Sequence, residues 1–141
     1  MLALNLTQIP CQPRKVQING LPRITRTLSA IPDGKAGIVA TLKAMRTQVR
    51  NSKKSLIVRS LAASLVKPIP GKDWRAECNA LHEWVKNNIR FLRDIRDVET
   101  VHDAETILQF RQGECDDKSI LFASLAESIV HPSRFVAVGF T

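Results

Sequence analysis

Helical periodicity constrains the fold of this chain more than any other feature. Apolar residues recur every three or four positions, which places them on one face of a helix. In one such segment these positions are Ile38, Leu42, Met45 and Val49. In another the stripe contains Trp74, Cys78, Leu81 and Val85 and ends at the polar residue Asn88. The spacing predicts five helices, over 36–50, 55–66, 73–88, 104–112 and 116–130. A hydrophobic content of 44% supplies the core of one domain.

The segments between these helices complete the predicted fold. Residues 1–34 hold four of the seven prolines and predict an extended basic arm with one short strand within 23–31. Residues 89–103 predict irregular chain, and the apolar run 134–140 predicts a strand. The predicted class is therefore α+β and mainly helical. An arm over 1–34 precedes a helical domain over 35–141, in which a single terminal strand leaves the sheet incomplete.

Positive charge is concentrated in the first part of the chain. Residues 1–60 contain eleven lysines and arginines and one acidic residue. Residues 61–141 contain ten lysines and arginines and twelve acidic residues. A basic segment of this kind suits an acidic partner, and a solvated basic face explains it equally well. The chain has only seven aromatic residues and no familiar nucleic-acid motif, so we do not expect nucleic acid as a partner.

The three cysteines, Cys11, Cys78 and Cys115, predict neither a disulfide framework nor a metal site. Their number is odd, and their spacing is not that of metal ligands, so we expect reduced thiols and no cofactor. The first fifteen residues lack the pattern of a signal peptide, and no apolar run approaches about 18 residues. These features predict a protein of the cytoplasm with no membrane association.

One short stretch carries the strongest chemical signal, GECDDKS at 113–119. Gly113 permits a turn, and Cys115 then stands at or just before the last predicted helix. A helix N-terminus stabilises a thiolate, the nucleophilic form, whereas the carboxylates of Asp116 and Asp117 oppose it. Cysteine is also one of the most buried residue types, so packing alone is the alternative interpretation.

From Trp74 onward the sequence resembles the transglutaminase-like superfamily, within the papain-like cysteine hydrolase fold. Three stretches carry the resemblance: LHEWVKNNIRFLRD at 81–94, DAETILQFRQGECDDKSILFASL at 103–125, and RFVAVGF at 134–140. The stretch IPDGKAGIVATLKAM at 31–45 is similar to proteins of this kind encoded by tailed bacteriophages and prophages. The resemblance covers about residues 24–140 and is strongest over 81–125.

The resemblance implies roles for a few residues. Cys115 takes the position of the nucleophile that attacks an amide or ester carbonyl, and its backbone N–H is one oxyanion donor. Gly113 and Asp116 are expected to line the cleft, and Trp84 is expected to be a packing residue or, as the second interpretation, to line the cleft as well. The histidine that acts as base and the Asp or Asn that orients it are expected on strands after 134–140. We therefore recognise no such partners within these 141 residues, and we expect the domain to be truncated after its first core strand.

The three histidines of the sequence are poor substitutes for that base. His131 lies sixteen residues after Cys115, or about 24 Å along a helix, and His102 lies about 15 Å from it across the preceding helix. His82 has no carboxylate obviously placed to orient it and is expected on the surface. The sequence thus predicts a nucleophile without its base.

Three hypotheses follow. The first is a cysteine peptidase or acyl-transfer enzyme acting on a protein or peptide. The second is a non-catalytic module of a phage particle or its assembly, which binds an acidic partner through residues 1–60. The third is a shortened chain that forms a homo-oligomer through the terminal strand 134–140, because an unpaired apolar edge invites pairing.

Overall fold

The computed structural model describes residues 14–16, 24–26, 31–94 and 100–139. The described chain is mostly helical. The helices are α1 (Gly34–Ser52), α2 (Leu56–Val66), α3 (Trp74–Asn88), α4 (Ala104–Phe110) and α5 (Cys115–Ser128), and the short strands are β1 (Arg14–Val16), β2 (Ile24–Arg26), β3 (Arg90–Phe91) and β4 (Gln112–Gly113). No helix in the described part of the chain is both long enough and apolar enough to cross a membrane.

Helix α5 is the centre of the structure, and each of the other four helices packs against it. Its side chains Ile120, Leu121 and Leu125 are fully buried. They meet Val49 from α1, Val58 from α2 and other core residues contributed by α3 and α4. Burial of this apolar surface is the main favourable contribution to folding. It also fixes the position of the first turn of α5, where Cys115 lies.

Three helices begin where the sequence offers a capping side chain. Ser55, Asp73 and Asp103 precede α2, α3 and α4. The Asp103 carboxylate accepts a hydrogen bond from the backbone N–H of Thr106 at 2.7 Å, and the other two make the equivalent bond. Such bonds satisfy donors that a helix N-terminus leaves unpaired. The predicted starts of these three helices are therefore confirmed.

The predicted apolar faces are partly wrong. Met45 and Val49 on α1 are buried, but Ile38 is 49% exposed. On α3, Leu81 and Val85 are buried, whereas Trp74 is 67% exposed and Cys78 only partly buried. Periodicity identifies one face of a helix, but it does not show how far along that face a neighbouring helix extends.

The prediction of irregular chain over 89–103 is partly wrong, because this segment contains a short strand. Strand β3 pairs in parallel with β4. The backbone N–H of Arg90 donates to the carbonyl of Arg111 at 2.8 Å, and that of Leu92 donates to the carbonyl of Gly113 at 3.1 Å. This pairing holds the end of α3 beside the turn that leads into α5.

The predicted end of the fourth helix, at residue 112 just before Gly113, is wrong. Helix α4 ends at Phe110, and Arg111 is the residue that takes the left-handed conformation, with φ of 56°. Gly113 instead lies in β4. The reason for a glycine there is close packing against α5, which is described with the site.

The predicted terminal strand is also wrong over the described residues. Residues 131–139 form neither a helix nor a strand. A strand needs a hydrogen-bonded neighbour. Among the described residues, no backbone hydrogen bond reaches 132–139. Phe135 packs against the core, whereas Val136 and Val138 are 66% and 72% exposed.

Strands β1 and β2 form an antiparallel pair, with Lys15 opposite Thr25. Strand β2 falls within the segment 23–31, where one short strand was predicted. Most of the predicted arm, including Cys11, lies outside the described residues. The division into an arm over 1–34 and a domain over 35–141 stays a prediction.

Candidate active site at the start of helix α5

Cys115 is the first residue of α5, and its side chain is exposed. The preceding residue, Glu114, has extended backbone angles and caps the helix without a side-chain hydrogen bond. The backbone N–H of Lys118 donates to the Glu114 carbonyl at 3.0 Å, which closes the first turn. The predicted location of the cysteine at the start of the helix is therefore confirmed.

Gly113 allows the chain to approach the first turn of α5 closely. A Cβ atom at position 113 would lie 2.6 Å from the Cβ of Asp117 and 2.7 Å from its Oδ2. Contacts this short do not occur between real side chains, so any larger residue would displace either β4 or Asp117. The glycine two residues before the cysteine is thus explained by packing against Asp117.

Asp117 is the buried acid of the site, with a relative exposure of 1%. Its Oδ1 accepts a hydrogen bond from the backbone N–H of His102 at 3.0 Å. The His102 ring nitrogen Nδ1 lies 3.1 Å from Oδ1 and 3.0 Å from Oδ2. These three contacts satisfy a carboxylate that could not otherwise be buried without a large penalty.

The contact between His102 and the first turn of α5 was not predicted. The separation of about 15 Å from Cys115 was estimated on the assumption that α4 lies between the two residues along one line. Instead the chain at 100–103 turns back onto α5, and His102 contacts its first turn. The estimate counted residues along a helix and ignored the path of the chain before it.

His102 nevertheless does not reach the thiol. Residues two positions apart on a helix leave it on nearly opposite sides, since one turn takes 3.6 residues. Asp117 accordingly points into the protein while Cys115 points to solvent. Among the described residues, the Cys115 sulfur has no hydrogen-bond partner.

The other two histidines lie away from the first turn of α5. His82 is on the surface, as predicted, with its ring edge-on to Phe122. His131 lies beyond the C-terminal end of α5, also as predicted, and its Nε2 is 2.6 Å from Oε2 of Glu77. Neither histidine contacts the turn that carries Cys115.

Further carboxylates surround this turn. Burial, followed by the charge of Asp117, raises the pKa of Asp116 to about 6. Its Oδ1 accepts the backbone N–H of Asp117 at 2.8 Å, while its Oδ2 is buried without a partner among the described residues. Burial also raises the pKa of Asp94, whose backbone N–H donates to Oε1 of Glu114 at 2.8 Å. The start of α5 is therefore an acidic region in a basic chain.

A cavity of about 90 Å³ adjoins this region. Its lining residues are Leu92, Asp94, His102, Thr106, Ile107, Phe110, Gln112, Gly113 and Asp117. Gly113, predicted to line a cleft, is one of them. Asp116 and Trp84 do not line this cavity, and Trp84 packs against the core, in agreement with its first interpretation. Trp84 lies instead beneath the Arg111 guanidinium, whose central carbon is 5.0 Å from the ring centroid.

A scan against protein-family models places these observations in a known family. Residues 59–140, more than half of the chain, match the model of the transglutaminase-like superfamily. The chain belongs to the transglutaminase-like superfamily. No curated protein and no solved structure matches it. The match spans α3, β3, α4, β4 and α5, so the transglutaminase-like region includes the whole candidate site.

Sequence reasoning missed the pair formed by His102 and Asp117 in this transglutaminase-like domain. A signal for Asp117 was present, because it precedes Ile120, Leu121 and Ser124 by three, four and seven residues. An acid on the buried face of a helix requires a partner. Its partner could not be named, since no periodic pattern covers the residues before α4.

Proposed function

We propose that this chain is a cysteine peptidase or acyl-transfer domain of papain-like fold, in which Cys115 is the nucleophile. The observation that carries the proposal is the exposed thiol on the first residue of α5. A helix N-terminus offers unpaired N–H groups and a partial positive charge to an anion. The neighbouring glycine and the buried Asp117 hold this turn in place.

The proposed reaction has two steps. The Cys115 thiolate attacks the carbonyl carbon of an amide or ester, a carbon–sulfur bond forms, and the bond to the amine or alcohol breaks as that group takes a proton. Water or a second amine then attacks the thioester and releases the thiol. The backbone N–H of Cys115 has no acceptor among the described residues, and it is the proposed oxyanion donor.

The proton of the thiol needs an acceptor. All three histidines of the sequence are described, and none hydrogen-bonds to Cys115. The proposal therefore assigns this role to water or to a histidine supplied by another polypeptide segment, including one from a second copy. A nucleophile activated only by its helix is expected to react slowly.

Alkylation kinetics test the proposed nucleophile. Two variants each retain one of the described cysteines: Cys11→Ser with Cys78→Ser, and Cys11→Ser with Cys115→Ser. Rates with iodoacetamide are measured from pH 5 to 9 and compared with those of the peptide QGECDDK, residues 112–118. At pH 6 we expect Cys115 in the folded protein to react about tenfold faster than the same thiol in the peptide. A rate at or below that of the peptide would remove the proposal's main support.

A second function is favoured by the absence of a histidine at the thiol. In this alternative the chain is a non-catalytic module of a phage or prophage particle, and its basic residues 1–60 bind an acidic partner. The phage affiliation rests on the sequence pattern at 31–45. Replacing Cys115 by Ser should then leave particle assembly unchanged. Loss of assembly on that single change would exclude this function.

A further inference from the structure

The cavity beside α5 combines apolar walls with a polar end. Leu92, Ile107 and Phe110 supply hydrocarbon surface, and Leu92 and Phe110 are each about half exposed at 47% and 46%. Gly113 and Asp117, which flank Cys115 by two residues on either side, also line it. A group bound in this cavity would therefore lie beside the turn that carries the thiol, although the thiol itself is not part of the lining.

Two polar groups of the lining, His102 and Asp94, offer hydrogen-bond acceptors, beside the Thr106 hydroxyl and the Gln112 amide, which both donate and accept. Because the Asp117 carboxylate is 3.0 Å from Nδ1 of His102, it favours the form in which Nδ1 carries the proton. In the neutral ring Nε2 is then a hydrogen-bond acceptor. Asp94 accepts the backbone N–H of Thr100 through Oδ2 at 2.5 Å, and its Oδ1 makes no bond to a described residue. Both side chains therefore suit a ligand that donates hydrogen bonds.

The charge of the cavity lining further restricts the kind of ligand that can bind. Two carboxylates line the cavity, and none of its described lining residues is a lysine or an arginine, although the chain as a whole carries a formal charge of +8. An anion would be repelled, and an apolar group would remove the acceptors from water without replacing their hydrogen bonds. A cation on an aliphatic stem fits both the walls and the polar end, because such stems pack on apolar surface while their charged end stays hydrogen-bonded.

We propose that this cavity is a specificity subsite for a lysine-type side chain of a peptide substrate, with the ammonium group at Asp94 and His102 and the aliphatic stem along Leu92, Ile107 and Phe110. The lysine is held by its charge and is not the group that reacts. The inference rests on the proposed function only in calling the bound peptide a substrate, because binding of the lysine side chain requires no reaction at Cys115.

Direct binding tests the subsite. The probes are Nα-acetyl-lysine methylamide and its norleucine counterpart, which has the same stem without the ammonium group. The imidazole Cε1 proton signals of the full chain are followed by NMR, because three histidines give three signals and His102→Gln identifies one of them. We expect the lysine probe to shift the His102 signal with a Kd in the millimolar range, and the norleucine probe to bind about tenfold more weakly.

Matched variants locate the binding. Asp94→Asn keeps an acceptor for Thr100 and removes the charge, so we expect it to weaken lysine binding about tenfold. Glu83→Gln removes an exposed acid on α3 that does not line the cavity, and it should leave the Kd unchanged. Phe110→Ala should weaken both probes, and it keeps the test open if the Asp94 variant fails to fold. Equal binding of the two probes, or no shift of the His102 signal with either, would overturn the inference.

Cys115→Ser separates this inference from the proposed function. If the subsite exists, lysine binding survives this change, whether or not Cys115 is a nucleophile. If alkylation shows an ordinary thiol while the lysine probe still binds, the proposed function fails and the subsite stands. If Cys115 reacts faster than the peptide thiol but the lysine probe does not bind, the subsite is excluded and the proposed function stands.

Discussion

The two ends of α5 each hold buried carboxyl groups, and they satisfy them differently. Near the C-terminal end, Glu127 accepts hydrogen bonds from Arg46, from Lys53 at 3.1 Å and from Ser133 at 2.7 Å. Burial opposes its charge, but these bonds outweigh burial and lower the pKa of Glu127 to about 2. Near the N-terminal end, Asp116 has no cationic partner among the described residues, and burial raises its pKa to about 6.

This difference separates a structural acid from acids at a candidate site. Glu127 joins α1, α5 and the segment after α5 through compensated charge. The N-terminal end instead collects Asp116, Asp117 and Asp94 near an exposed cysteine, and His102 hydrogen-bonds to Asp117 alone among these three acids. Structural ion pairs such as those of Glu127 also perturb pKa values, whereas a carboxyl group whose pKa is raised by burial without a cationic partner is typical of a functional site.

The largest expected effect comes from filling the space between β4 and α5. Gly113→Ala places a Cβ 2.6 Å from that of Asp117, so β4 or the first turn of α5 must move. We expect a loss of about 3 kcal/mol in the free energy of unfolding, measured with urea. Gly71→Ala is the control, because nothing lies within 4 Å of a Cβ there, and it should change the stability little. Equal effects at both positions would mean that the packing at Gly113 is not tight.

The second prediction concerns the compensated end. Glu127→Gln leaves Arg46 and Lys53 without their anion, and both are about one third exposed, so water replaces part of the lost interaction. We expect a loss of about 2 kcal/mol in the free energy of unfolding at pH 7. Glu83→Gln, at an exposed acid, is the matched control and should be neutral. If Glu127→Gln were equally neutral, the contrast between the two ends would not hold.

The third prediction is an opposite pH dependence at the two ends. The folded-state pKa of Asp116 is raised, so the folded protein holds that proton more tightly and stability falls as the pH rises from about 4 to about 6. The folded-state pKa of Glu127 is lowered, so its contribution is lost as the pH falls from about 4.5 to about 2.

Two variants separate these two pH dependences when the free energy of unfolding is measured with urea from pH 2 to 8. Asp116→Asn should reduce the fall in this free energy between about pH 4 and 6, which we call the upper limb, by about 1 kcal/mol once solvent screening is allowed for. Glu127→Gln should reduce the loss between about pH 4.5 and 2, the lower limb. An unchanged upper limb in Asp116→Asn would show that Asp116 ionises as freely when folded as when unfolded.

The smallest expected effect is on the thiol itself. Asp116→Asn removes a negative charge from the residue next to Cys115, which favours the thiolate. We expect alkylation of Cys115 at pH 7 to become about threefold faster, while that of Cys78 stays constant. A slower reaction would indicate that Asp116 assists the thiol, which the electrostatic account does not allow.

The sequence predicted the helical scaffold and the place of the cysteine, because both depend on local patterns. Periodic apolar residues and capping side chains determine where α2, α3 and α4 begin. The apolar run after Cys115 places the start of α5, where Glu114 is the N-cap residue but makes no side-chain capping hydrogen bond. The superfamily was also recognised from these residues, and the family match confirms it.

Features that depend on contacts distant in sequence could not be predicted. His102 meets Asp117 only because the chain turns back before α4. Arg111 adopts the left-handed conformation in place of a glycine, since the glycine is needed two residues later against Asp117. The apolar run at 134–139 forms no strand, because a strand requires a neighbour that local sequence does not supply.

Acylation of Cys115 tests the central claim most directly. The protein with Cys11→Ser and Cys78→Ser, whose only thiol is Cys115, is mixed with p-nitrophenyl acetate, and acetyl transfer to residues 112–118 is followed by mass spectrometry after trypsin digestion. The account predicts a thioester at Cys115 that forms about tenfold faster than on the free QGECDDK peptide, with a matching burst of nitrophenol. Acetylation at the same rate as the peptide, without a burst, would contradict the assignment of Cys115 as a nucleophile.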